Sequence, residues 1–147
     1  MSSVIDTLYE LKYNPFKYGN YIASFYSSIQ NVDDNLLLAP LVIPLCCHPL
    51  FGRTLNNTKT TSSIWTIFGK QIELYDLQER IDEFQSLTEL CIQYCLANDW
   101  LSVDEDSLAI HYIETTLEFQ RNAVNLGKLF SNHSVVEIYT FLRVKPR

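Results

Sequence analysis

Glycine and proline are scarce in this 147-residue chain, at 4 and 5 residues. Together they are about half the usual share. That excludes a collagenous or low-complexity chain. It also argues for long helices over a many-stranded sandwich, which needs turns at short intervals. Positive charge is scarce as well: 11 Lys+Arg stand against 17 Asp+Glu, for a net charge of −6. Phosphate neutralisation supplies most non-specific nucleic-acid affinity, so the isolated chain is expected to bind nucleic acid only weakly, although its aromatics could stack on bases. The longest apolar run, Leu36–Cys47, has 12 residues and two prolines, Pro40 and Pro44, too short to span a bilayer. The first residues, Met1 to Asp6, lack the basic segment of a signal peptide. These features predict a soluble, cytoplasmic protein with no membrane partner.

Hydrophobic residues make up 47% of the chain and aromatics 13%, enough for a core without disulfides or metal. Each cysteine (Cys46, Cys47, Cys91, Cys95) lies in an apolar run, and neither pair has C-x-x-C spacing. They are predicted to be buried, reduced small hydrophobes.

Asn14-Pro15 reads as an N-cap followed by proline at the first helical position. Tyr18, Ile22, Phe25, Tyr26 and Ile29 then form one stripe on a helix of about 15 residues, which the polar run 31–35 ends. Residues 1–12 suggest a short helix or an arm. Leu36–Leu50, apolar on all sides, is expected to be central: an extended lead-in, then a helix from about Pro40 that bends near Pro44. Thr61 or Ser62 should cap a short helix, Ser63–Phe68, stopped by Gly69. Ile72–Phe84 reads as one helix. Ser86-Leu87-Thr88-Glu89 has the form of a capping box opening a helix to about Asn98, with Leu87, Leu90, Cys91, Tyr94 and Cys95 inward. Leu101/Val103 and Leu108/Ile110 flank an acidic turn and predict a β-hairpin within 100–112. A helix of about 16 residues follows, bearing Leu117, Phe119, Ala123, Val124, Leu126 and Phe130. A second capping box, Ser134 to Glu137, opens a last helix through about Leu142. The fold class is therefore mainly α with a small β-hairpin: one winged-helix-like domain over 1–147, with its core at about 60–112 and C-terminal helices at about 113–142.

Catalytic signals are thin. Cys46-Cys47-His48 sets thiols beside an imidazole in sequence only, whereas a nucleophile and its base need reach in space. Asp104-Glu105-Asp106 lacks the further oxygen ligands of a calcium loop. No phosphate loop or other catalytic motif occurs. No catalytic, cofactor-binding or metal residue is therefore assigned, and the chain is not expected to be an enzyme. The candidate recognition helix, Ser86–Ala97, carries Glu89 and Gln93 but no Lys or Arg, the residues that make the commonest base and phosphate contacts. A winged-helix DNA-binding regulator is the alternative reading.

Several segments in order carry a family resemblance. They are Tyr13-Asn14-Pro15, Leu38-Ala-Pro-Leu-Val-Ile-Pro-Leu45, His48, Arg53-Thr54-Leu55, Thr61-Ser-Ser-Ile-Trp65, an Arg80-bearing helix and the ending Ser134 to Pro146. Over about 13–146 the chain resembles the middle component of three-component ABC-ATPase conflict systems, and is similar to the small subunit of Lamassu-type anti-phage complexes. Arg143 stands where that family commonly has glycine, the one residue that adopts the αL conformation freely. The resemblance implies a non-catalytic adaptor between an SMC/ABC-type coiled-coil ATPase and a nuclease-like effector, with DNA reached only through the complex. An acidic subunit would suit a basic partner surface. On the last helix, Val135, Ile138 and Leu142 can face the core, leaving Tyr139 and Phe141 partly exposed. Tyr139, Phe141 and Arg143 are the candidate partner interface. The competing expectation is that all five apolar residues of this helix are core.

Overall fold

The computed structural model describes residues 14–30, 33–59, 61–114 and 117–145; the arm or helix expected over 1–12 lies outside them. The Asn14 side chain accepts the Phe16 N–H at 2.8 Å, and Pro15 opens helix α1, Pro15–Ser28. The predicted stripe is correct: Ile22, Phe25 and Tyr26 are buried. The helix ends before the polar run, because Ile29 is already extended.

A 3₁₀ turn, Asn35–Leu38, leads into α2, Ala39–Cys46. The expected extended lead-in is thus helical. Leu41, Val42, Ile43 and Leu45 are fully buried, as an all-apolar segment requires. The helix runs through Pro44, whose missing N–H costs a single bond in so short an element. Helix α3, Phe51–Asn56, precedes α4, Ile64–Phe68. Ser63, rather than Thr61 or Ser62, caps α4: it exchanges reciprocal side-chain to backbone bonds with Thr66. Gly69 follows with an ordinary right-handed φ of −71°.

The single helix expected over 72–84 is broken into a 3₁₀ turn, Gln71–Leu74, and α5, Leu77–Glu83. Its stripe survives, since Leu74, Leu77, Ile81 and Phe84 are all buried. Helix α6, Gln85–Ala97, begins at once. The Phe84 N–H closes α5 on the Arg80 carbonyl, and the Phe84 carbonyl takes the Thr88 N–H. No coil residue remains for a cap, so Ser86 lies inside the helix and the box read there does not form. Leu90, expected inward, is exposed. A helix-turn-helix spends three or four residues on its turn; Phe84 alone separates α5 from α6. The winged-helix likeness therefore rests on element order.

The hairpin is where the sequence pattern put it: β1, Leu101–Asp104, pairs antiparallel with β2, Ala109–Tyr112, Val103 opposite Ile110. The outer edge of β2 is covered by buried Asn35. Its side-chain oxygen accepts the Ile110 N–H at 2.5 Å and its amide donates to the Ile110 carbonyl at 3.0 Å. Asp34 and Leu36 donate backbone N–H groups to Ser107 and Leu108. One amide side chain and two backbone donors thus do the work of a third strand.

The next helix is shorter than expected: α7 is Arg121–Phe130, ten residues. The Gln120 N–H is taken by the buried Ser24 hydroxyl at 2.9 Å, which holds Gln120 extended and fixes the start at Arg121. Phe119 is left exposed. Helix α8, Val135–Leu142, ends the chain's regular structure. Helix α1 packs on both α6 and α7, so the core joins the segments on either side of the hairpin. No described helix is long and apolar enough to cross a membrane.

Candidate partner interface

The Ser134 hydroxyl caps α8 by accepting the Glu137 N–H at 3.0 Å. The Glu137 carboxylate reaches His133 Nδ1 at 3.2 Å. At the other end Arg143 adopts αL, φ 59° and ψ 40°, although it is not glycine. The turn closes through Val144 N–H to the Tyr139 carbonyl and Arg143 N–H to the Thr140 carbonyl, the bonds of a Schellman-type ending with Val144 buried beneath it. Lys145 then exchanges two bonds with the Gln78 side chain of α5, at 2.7 and 3.2 Å. These bonds hold the αL backbone despite the arginine.

Tyr139 does not stand partly exposed, as the pattern suggested. It is 7% exposed, and its hydroxyl donates to the Leu37 carbonyl at 2.5 Å. Burial raises its pKa well above the ordinary tyrosine value. The cause is periodicity: Tyr139 follows Ile138 and sits four residues from Val135, so it shares the inward arc with Ile138 and Leu142. Phe141 is half-buried and Arg143 exposed, so those two of the three candidate residues reach the surface.

Trp65, which sequence reasoning passed over, completes this surface. It is 59% exposed. Its ring meets Phe141 edge to face at 5.8 Å and His133 at 5.4 Å. Five residues of α4 are too few for periodicity to single out a face. Val136, 75% exposed, extends the apolar area along α8. Two hollows flank Arg143. One of about 390 Å³ lies against Leu37, Val135, Val136 and Tyr139, and one of about 190 Å³ against Phe68, Gly69 and Phe141; Thr140 and Arg143 line both. Leu37 also borders a third hollow of about 260 Å³, beside Pro40, Thr88 and Ile92. Apolar surface therefore runs from α6 across the 3₁₀ turn to α8 and α4. Arg143 and Lys145 make its C-terminal edge positive. Glu89 lines the third hollow and Glu137 stands on α8, while a larger group of carboxylates forms at the hairpin tip, where the Asp34–Ser107 bond brings Asp33 and Asp34 beside Asp104, Glu105 and Asp106. Asp104 accepts the Asp106 N–H at 3.0 Å, and backbone donors of this kind lower its pKa.

The chemically suggestive residues are otherwise engaged. His48 Nδ1 accepts the Leu50 N–H at 3.1 Å, and Nε2 stands 3.5 Å from Asp76. The ring is thus committed away from the neighbouring thiols. Burial raises every thiol: Cys47 to about 11, Cys91 and Cys95 to about 12, and Cys46 well above the ordinary value. Among the described residues no group of three His, Cys, Asp or Glu side chains is placed to hold a metal ion. The exposed face of α6 offers Gln85, Ser86, Glu89 and Gln93, and no cation.

The order of elements, the capped α8 and its Val144-Lys145 tail can be set beside known families. The model of the ABC-three component (ABC-3C) system Middle Component 3 family matches residues 2–146. The chain belongs to that family. No curated protein and no solved structure gives a match. As a middle component the protein has partners within a three-component system.

Proposed function

We propose that this middle component is a non-catalytic adaptor of an anti-phage or anti-plasmid defence complex of Lamassu type, bridging an SMC/ABC-type coiled-coil ATPase and a nuclease-like effector. The observation that supports this reading is the edge-to-face pair Trp65–Phe141 beside Arg143, next to a hollow lined by Phe68, Gly69, Gln71 and Thr140. Aromatic and arginine side chains in such settings dominate binding energy at interfaces. Tyr139 serves this surface from below, by holding α8 on Leu37. The local charge suits an acidic or neutral partner patch, while the hairpin tip suits a basic one.

The test is co-purification of the tagged chain with the other two components. Trp65→Ala and Phe141→Ala should each weaken retention of one partner at least tenfold. Phe141→Ala should also cost some stability, because its ring is half-covered; Trp65→Ala should leave the melting temperature nearly unchanged. Undiminished retention of both partners by folded variants would sink the interface. ATPase or nuclease activity that tracks the isolated monomer on a sizing column would sink the non-catalytic role.

A further inference from the structure

A polar cavity of about 320 Å³ lies between the loop after α3 and the outer face of α7, lined by Thr58, Lys59, Ser62, Asn125, Lys128 and Leu129. No carboxylate lines it, in a chain whose net charge is −6. Lys59 and Lys128 make no ion pair among the described residues.

The cavity wall is held firmly. The Leu55 carbonyl collects the Thr58 hydroxyl at 3.3 Å and one Asn125 amide hydrogen at 2.7 Å. Lys59 and Ser62 close a small ring, with Lys59 N–H donating to Ser62 Oγ and Ser62 N–H to the Lys59 carbonyl, both at 2.9 Å. Lys59 and Lys128 thus line one space in which the Ser62 hydroxyl proton and the second Asn125 amide hydrogen are left uncommitted. Donors in excess, two of them charged, describe a receptor for a multiply charged oxyanion. Arg121 lies one turn back from Asn125 on the same face of α7, about 10 Å along the helix from Lys128.

We propose that this cavity binds a phosphate group, supplied either by a free phosphate compound or by a nucleic-acid backbone. The proposal stands apart from the adaptor reading, since it concerns another face of the molecule.

The experiment titrates the isotope-labelled full chain with inorganic pyrophosphate and, separately, with an eight-residue oligodeoxythymidylate at low salt, following backbone amide shifts. Both probes should move Lys59, Ser62, Asn125 and Lys128 first. The double variant Lys59→Gln/Lys128→Gln should bind at least tenfold more weakly. For the oligonucleotide, its slope of log affinity against log salt should flatten by about 1.4, or ~0.7 per lost single-strand phosphate contact. Lys59→Gln alone keeps the test open if the double variant folds poorly. Oligonucleotide binding at least tenfold tighter than pyrophosphate assigns the source to a nucleic-acid backbone; any other ratio assigns it to a free phosphate compound. No shift at these residues with either probe at millimolar concentration overturns the proposal, as do shifts that both variants leave unchanged.

Discussion

Two residues act through backbone geometry rather than bulk. Arg143 occupies αL, which costs a residue with a Cβ about 1–2 kcal/mol. Glycine relieves that cost but loses more chain entropy on folding. Arg143→Gly should therefore raise stability by about 0.5–1 kcal/mol, seen as a higher denaturation midpoint. If Arg143 also meets a partner, the same variant should bind that partner less well, so stability and affinity would move in opposite directions. Asn35 acts as a strand surrogate, and its side chain is the partner of both the N–H and the carbonyl of Ile110. Removing it leaves two buried backbone groups unpaired at roughly 1–3 kcal/mol each. Asn35→Ala should cost about 2–4 kcal/mol in urea denaturation, with hydrogen exchange accelerated first in β2.

Helix α1 approaches α7 so closely that a side chain at Gly127 has no room. A Cβ there would overlap Ser28 Oγ and lie 2.6 Å from the Phe25 carbonyl oxygen. The carbonyl belongs to a buried helix and cannot swing aside, and Ser28 also donates to the Val124 carbonyl at 2.7 Å across the same contact. Gly127→Ala should therefore destabilise by about 1–3 kcal/mol, the usual cost of overpacking, although alanine is the better helix former. A gain in melting temperature would show that α1 and α7 can separate cheaply. Gly19 plays a similar part against the Tyr94 ring, where a flexible side chain has more freedom to yield.

Across the whole molecule, burial raises the thiols of Cys47, Cys91 and Cys95 from 9.0 to about 11, 12 and 12, and the Tyr21 hydroxyl from 10.0 to about 12. Each folded-state pKa lies above its unfolded value. The native chain thus holds more protons between the two, and its stability must fall as pH rises through that window. Melts taken from pH 7 to 11 should be flat up to about pH 8 and decline above it. Replacing Cys91 by alanine should lessen the decline while lowering stability at neutral pH. Thiol labelling at pH 7.5 should be slow throughout, with Cys47, the least covered, reacting first. Fast labelling of Cys91 or Cys95 would contradict their placement on the inner face of α6.

Periodicity and turn chemistry were enough to locate α1 with its Asn14 cap, the buried α2, the hairpin, and α8 with its Ser134 cap. These features depend on neighbours a few residues apart. The same local logic failed where a distant group took over a backbone bond and where neighbouring helical turns met without the expected coil or continuity. Ser24 claims the Gln120 N–H and shortens α7; α5 runs into α6 and removes the coil that Ser86 would have capped; a 3₁₀ turn breaks the helix read over 72–84. Phe141 and Arg143 at the surface were legible from the pattern of α8. Trp65 beside them, and Tyr139 beneath, were not, because which aromatic is covered depends on where α8 lands against α4 and Leu37. Composition and motif order determined the helical class and the family. Exposure, the αL turn at Arg143 and the Lys59–Lys128 cavity were decided only by tertiary packing, which brings together residues tens of positions apart that no local pattern can pair.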